Sequence, residues 1–341
     1  MAGVSDRSWW RRVGSPETGF RYLDADGATP IVSETALQRI EALRIPPAWL
    51  EVRIAPDPVW GIQAWGYDGK GRRQYIYSAE HREAQSRRKW RRVLRFARVL
   101  PVLRTATDEH LKRPTLDRQK VLATVVRLMA RAFFRVGGER YAAANGTFGI
   151  CTLRKCHVEV RGSTLVFHYV GKRGIEHRQV IAGTPLASVV RELLSFPGRR
   201  GRWERLFRYR DEQGRVRNVT ARAVNRYLRE ILGPGHTAKD LRTFGATLRA
   251  ATILAELGPP ATAREARRNV ALCCRLVAAE LGNTPAVCRS AYIHPAVLEE
   301  YQRAGRTIEP FMRKAPRPSE RRGAAYYPEE AALMRFLERY G

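Results

Sequence analysis

Leu281-Gly-Asn-Thr-Pro-Ala-Val-Cys-Arg-Ser-Ala-Tyr-Ile-His-Pro295 is the stretch around which the chain is organised. Thr284 to Ala291 can form a short helix, with Asn283 as a good N-cap and Pro285 at a tolerated first-turn position. A residue that precedes proline is biased out of the helical region. Tyr292 is therefore expected at or just past the last turn. On one straight helix Asn283 and Tyr292 would lie on opposite sides, so a break between them, or a Tyr292 segment that moves, is expected. A tyrosine at a helix end beside Arg289, in a basic chain, is a candidate nucleophile for phosphorus. Taken alone, most such tyrosines are half-buried packing residues; cations placed elsewhere in the chain decide the reading.

Those cations are abundant. The chain has 62 Lys+Arg against 33 Asp+Glu, a net charge of +29 over 341 residues. Such an excess concentrates phosphate near the surface and speeds encounter with a polyanion, so the expected partner is nucleic acid. With 44% hydrophobic and 28% charged residues the composition is that of a globular chain. No apolar run approaches the ~20 residues that span a bilayer, and the N-terminus, with Asp6 ahead of paired tryptophans, does not read as a secretory signal. The five cysteines are an odd, unpatterned set. Cys151-x4-Cys156-His157 has no second ligand pair after it, so reduced thiols in a cytosolic protein are the reading, with no metal site.

The expected architecture is α+β. Residues 1–80 form a small strand-rich N-terminal domain, and residues 81–341 a larger, mainly helical domain with a short three-stranded antiparallel sheet. In the first domain Gly19–Leu23 and Ala28–Val32 read as a hairpin and Thr35–Leu43 as a helix. Glu51–Ala55, Gly61–Tyr67 and Arg73–Tyr77 read as strands, the last two joined by Asp68-Gly-Lys-Gly71. Alternation separates Gln74 from Tyr75 and Tyr77. Beside Lys70, Arg72 and Arg73 these side chains suit a face that touches bases and phosphates; an ordinary edge strand fits them as well.

His81 to Leu100 reads as a long Arg-rich helix. Pro114-Thr115 opens an amphipathic helix, with Lys120, Thr124, Arg127 and Arg131 on its polar side. The glycines of Arg135-Val-Gly-Gly138 stop it and leave Arg135 at its end. His157–Val160, Thr164–Val170 and Ile175–Ile181 are strands, and Gly171-Lys-Arg-Gly174 places Lys172 at a hairpin tip. The rest reads as helical: Pro185–Leu194, Thr220–Leu232, Thr237–Leu257, Thr262–Leu281 and Pro328–Tyr340, with a break at Ala315-Pro-Arg-Pro318. Lys239 and Arg242 lie one turn apart on one helix.

Five motifs now stand in order: Gly69-Lys-Gly-Arg-Arg-Gln-Tyr-Ile-Tyr77, Phe134-Arg-Val-Gly137, Val170-Gly-Lys172, Lys239-Asp-Leu-Arg-Thr-Phe-Gly245, and Gly282-Asn-Thr-Pro285 with Ser290-Ala-Tyr292. With them the sequence resembles type IB DNA topoisomerases of the small poxviral and bacterial kind, from about Thr35 to about Gln302. The resemblance implies the catalytic fold shared with tyrosine recombinases, a DNA-clamping role for the N-terminal domain, and relaxation of supercoiled duplex DNA through a 3′-phosphotyrosyl intermediate. It makes Tyr292 the nucleophile, Arg135 and Arg242 the phosphate-clamping arginines, Lys172 the general acid and Lys239 its assistant. Asn283 stands where poxviral members carry histidine. Arg73, Gln74, Tyr75, Tyr77 and Tyr141 match DNA-contacting positions, whereas Gly138 occupies the site of a poxviral base-contacting lysine.

Fixed cations fit this chemistry, because attack on a phosphodiester builds charge on the equatorial and departing oxygens. The chain has no Gly-x4-Gly-Lys-Ser/Thr loop and no magnesium-type carboxylate cluster, so no nucleotide, metal or other cofactor is expected. The expected enzyme is a monomer in the cytoplasm, associated with the nucleoid. A tyrosine recombinase, which usually has histidine where Lys239 stands, and a non-enzymatic architectural DNA-binding protein are the alternatives.

Overall fold

The described residues of this computed structural model are 8–198, 200–312 and 326–341; the break expected at Ala315–Pro318 lies outside them. The chain divides into two compact units, Met1–Trp90 and Arg91–Gly341.

In the first unit the second of the paired tryptophans starts strand β1 (Trp10–Ser15), which pairs with β2 (Gly19–Leu23). Helix α1 (Glu34–Ala42) follows, then β3 (Leu50–Ile54), β4 (Ile62–Tyr67) and β5 (Arg73–Tyr77). The antiparallel sheet has the order β2-β1-β3-β4-β5. The hairpin expected between Gly19–Leu23 and Ala28–Val32 is therefore corrected: β2 takes β1 as its partner, and the later segment makes only the bridge Leu23–Pro30. That bridge is flanked by two backbone hydrogen bonds, Asp24 N to Thr29 O at 2.8 Å and Ile31 N to Tyr22 O at 2.9 Å, and the pairing goes no further. Val52, Ile54 and Ala64 pack with Ile40 of α1 into one core cluster, while Trp9, Ala55 and Trp65 form another. At the turn before β5, Asp68 accepts from the backbone N–H groups of Lys70 and Arg72, each at 3.0 Å.

Helix α2 (Ala79–Arg98) leads into α3 (Leu100–Leu111), which the sequence pattern did not announce. Helix α4 (Arg118–Ala132) starts later than Pro114-Thr115, because Asp117 caps it by accepting from Lys120 N at 2.9 Å. Its expected polar side is also corrected. Lys120 and Thr124 are buried: the ammonium is paired with Glu192 at 2.9 Å, and the hydroxyl donates to Lys120 O. Nor do the glycines end the helix. Phe133 does, in the left-handed conformation at φ 51.

After α5 (Glu139–Asn145) come β6 (Val158–Arg161), β7 (Thr164–Val170) and β8 (Glu176–Ile181), the expected three-stranded antiparallel sheet in the order β6-β7-β8. Helix α6 (Leu186–Ser195) precedes a two-stranded sheet, β9 (Arg208–Arg210) with β10 (Val216–Asn218), where only helix was expected. Helices α7 (Ala221–Leu232), α8 (Ala238–Leu257) and α9 (Ala263–Leu281) begin after Thr220, Thr237 and Thr262, as their capping signals predict. Leu241, Phe244, Ala251 and Leu254 of α8 are buried, as are Val270, Cys273 and Val277 of α9. The chain ends in α10 (Pro285–Ala291), α11 (Pro295–Ala304), α12 (Glu309–Met312) and α13 (Pro328–Tyr340). Arg104 of α3 anchors α13 through Glu330 at 2.9 Å. Among the described residues no single helix is long and apolar enough to cross a membrane.

Candidate active site

Helix α9 stops where Gly282 turns left-handed at φ 61, and the axis of α10 is bent 95° from it. The sequence predicts a break between Asn283 and Tyr292; the turn lies at residues 282–284, so Asn283 is within it and Tyr292 at the far end of α10. Thr284, not Asn283, caps α10: its Oγ1 accepts from Val287 N at 3.3 Å. The reason is that the Asn283 side chain is already engaged, its Oδ1 accepting from Arg135 Nη2 at 2.7 Å. The same Arg135 nitrogen donates to Gly282 O at 2.7 Å, and Arg242 Nη2 donates to Leu281 O at 3.1 Å. Two guanidinium groups, remote from this turn in sequence, thus hold its three consecutive residues.

Each arginine is fixed from behind. The left-handed Phe133 redirects the chain out of α4, its ring packed so closely on Gly245 of α8 that a Cβ there would overlap it. Ile150 N then donates to Arg135 O at 2.8 Å and Cys151 N to Val136 O at 3.0 Å. Arg242 rises from α8, only 4% exposed. Burial pushes its pKa down to about 10, with Tyr292 opposing that shift and Arg135 adding to it. Arg242 Nε and Asn283 Nδ2 are buried donors without a hydrogen-bond partner among the described residues. Leaving such groups unmatched costs free energy. A tetrahedral anion with several acceptor oxygens fits this donor set.

Tyr292 closes α10 as its C-cap residue, where the sequence places it. Its N–H donates to Cys288 O at 3.0 Å, and its carbonyl, 3.1 Å from Thr247 Oγ1, shares that hydroxyl's one proton with Thr243 O at 3.0 Å. Thr247 Oγ1 also accepts from His294 N at 3.2 Å, so α8 grips the end of the short helix. The Tyr292 ring centroid is 5.6 Å from Arg242 Cζ, in cation–π range. The structure therefore brings Arg135, Arg242, Asn283 and Tyr292 together.

Lys172 and Lys239 are exposed, Lys172 on the β7–β8 tip and Lys239 in the first turn of α8. Tyr141 lies on α5, 63% exposed. In the other unit, Arg73 lies over the Trp65 ring at 3.6 Å, the Tyr75 and Tyr77 rings are stacked at 6.0 Å, and the Gln74 amide donates to Asp68. Sequence reasoning missed the residues behind the site: Thr247, and the Tyr169–His177 pair at the base of the Lys172 hairpin. That pair was within reach, because a tip at 171–174 puts residue 169 opposite residue 177.

Residues 78–317 match the family model described as "Eukaryotic DNA topoisomerase I, catalytic core", and residues 19–68 match "Bacterial DNA topoisomerase IB, N-terminal domain". The chain is similar to the mimivirus protein named DNA topoisomerase 1B, at 33% identity over 80% of this chain and 81% of that protein. It is also similar to vaccinia virus DNA topoisomerase 1B, at 26% identity over 69% and 70% of the two chains. A Mycosarcoma maydis DNA topoisomerase 1 matches at 22% identity over 60% of this chain and 22% of that protein.

Proposed function

The chain belongs to the type IB DNA topoisomerases, and from that premise we propose that Tyr292, Arg135, Arg242, Asn283, Lys172 and Lys239 are its catalytic residues. Its activity is relaxation of supercoiled duplex DNA by transient cleavage and religation of one strand. Tyr292 Oη attacks the scissile phosphorus and the P–O5′ bond breaks, leaving a 3′-phosphotyrosyl bond and a free 5′ hydroxyl. The phenol gives its proton to water, and the departing O5′ gains one delivered by Lys172 with Lys239 assisting. Arg135 and Arg242 neutralise charge growing on the non-bridging oxygens, and Asn283 Nδ2 donates to one of them. One phosphoester replaces another, so the 5′ hydroxyl reverses the step without ATP, and side-chain cations do the work a metal ion does elsewhere.

The observation that carries this reading is the capture of residues 281–283 by both guanidinium groups beside Tyr292. Arg73, Gln74, Tyr75 and Tyr77 of the N-terminal region and Tyr141 of α5 contact the duplex, with the N-terminal domain serving as the DNA clamp. One chain supplies every catalytic group, which supports a monomeric enzyme. Its cysteines, unpaired with one another, suit the cytoplasm, and a DNA substrate is consistent with association with the nucleoid. Supercoiled plasmid incubated with the protein in EDTA, without nucleotide, tests the proposal. The expected product is a relaxed ladder. Unchanged plasmid would overturn the assignment, and dimers or catenanes would turn it toward recombination.

A further inference from the structure

His177 is 7% exposed, and its Nε2 is buried with no hydrogen-bond partner among the described residues. It sits opposite Tyr169 in the β7–β8 ladder, and the two rings stack at 5.0 Å with 11° between their planes. Tyr169 is tied down in turn: its hydroxyl donates to Gln179 Oε1 at 3.2 Å, and the Gln179 amide donates to Ala132 O at the end of α4. The other edge of the imidazole fills the space between two glycines. A Cβ on Gly171 would lie 2.5 Å from His177 Cδ2, and a Cβ on Gly282 would lie 2.1 Å from Cε1 of the same ring. Gly171 precedes Lys172, and Gly282 precedes Asn283. One planar side chain therefore touches the base of the lysine tip and the turn that both arginines hold.

We propose that His177 is a positioning residue, a rigid spacer whose ring fixes the distance between the Lys172 tip and the Asn283 turn. This rests on the reading of Lys172 as the general acid. Burial, reinforced by the charges of Arg135 and Arg242, lowers the His177 pKa, so the ring stays neutral and adds no third cation to the cluster. Its contribution is shape. A stacked ring in close contact with two backbones transmits position better than a flexible chain does, because packed interiors do not deform freely. Lys172 is exposed and has four rotatable bonds, so the backbone beneath it is what aims it.

Single-turnover cleavage on two duplexes tests the proposal, one with an ordinary phosphodiester and one with a 5′-bridging phosphorothiolate, whose sulfur leaves without a proton. An acid contributes ~10²–10⁴ in rate, and a displacement of ~1 Å costs up to ~10²-fold. His177→Ala is therefore expected to slow phosphodiester cleavage by ~10–100-fold and phosphorothiolate cleavage by under ~3-fold. His177→Phe, which keeps the ring and removes both nitrogens, is expected to restore most of the rate.

Gly171→Ala provides an independent route, since φ at Gly171 is −98 and the new methyl meets mainly His177. It should show the same substrate split, and adding His177→Ala should cost nothing further. Equal slowing of both substrates by His177→Ala and by Gly171→Ala, while Lys172→Ala retains its split, would overturn the spacer role and leave the acid assignment intact. If Lys172→Ala itself slows both substrates equally, the acid assignment fails, and the spacer role falls with it.

Discussion

Arg242 shows how far this site departs from what stability alone would select. A cation that is 4% exposed, whose Nε has no partner among the described residues, disfavours the folded state unless an anion joins it. Its pKa in the fold, about 10, lies well below the ordinary guanidinium value, so folding penalises the charged form. The penalty is present at every pH below about 10; from there up to the ordinary value the folded protein sheds the proton first, and this group's contribution to stability rises with pH. Arg242→Met should therefore leave the apo protein as stable or up to ~2 kcal/mol more stable, since Leu281 O loses one donor but the buried charge is gone. The same change should reduce cleavage by at least ~10³-fold. Thermal melts beside single-turnover rates check this. A marked drop in melting temperature would mean that the arginine is chiefly structural.

At the scale of elements, α10 is a seven-residue helix held at both ends, by the Thr284 cap and by Thr247 under Tyr292. A helix this short is not stable on its own, so its ends decide where Tyr292 points. Thr247→Val keeps the volume but removes the donor to Tyr292 O and the acceptor for His294 N. It should cost about 1–2 kcal/mol and slow cleavage about tenfold or more, with DNA affinity unchanged. An unchanged cleavage rate in that variant would show that α10 is aimed by something else.

Legibility followed the same logic. Elements that carry their own start and stop signals, such as α7 after Thr220 and α9 between Thr262 and Gly282, could be read directly. The misses are elements defined by distant partners. Strand β1 needs β3, helix α3 leans on α4 and α7, and β9 needs β10 across a turn. Tyr292, Arg135 and Arg242 were legible through short motifs. Asn283 was read as a cap because local chemistry cannot show that an arginine 148 positions away has claimed its oxygen.

For the whole molecule, a net charge of +29 makes DNA affinity a salt-dependent quantity. Between ~50 and ~200 mM salt the affinity for a duplex should fall at least ~10²-fold, while the cleavage rate at saturating protein changes little, because Arg242 is buried and Arg135 half-buried, and such charges are poorly screened. Binding titrations and single-turnover rates at the same salt concentrations separate the two. A cleavage rate that fell in step with affinity would mean that Arg135 and Arg242 are screened as surface charges are. The claim beneath all of this is that one phenol, Tyr292, becomes joined to DNA. Trapping the reaction with denaturant, digesting with trypsin and fragmenting the DNA-linked peptide locates the bond. The account predicts the Ser290–Arg303 peptide with the nucleotide on Tyr292; attachment to Tyr301 in the same peptide, or to a tyrosine elsewhere, would contradict it.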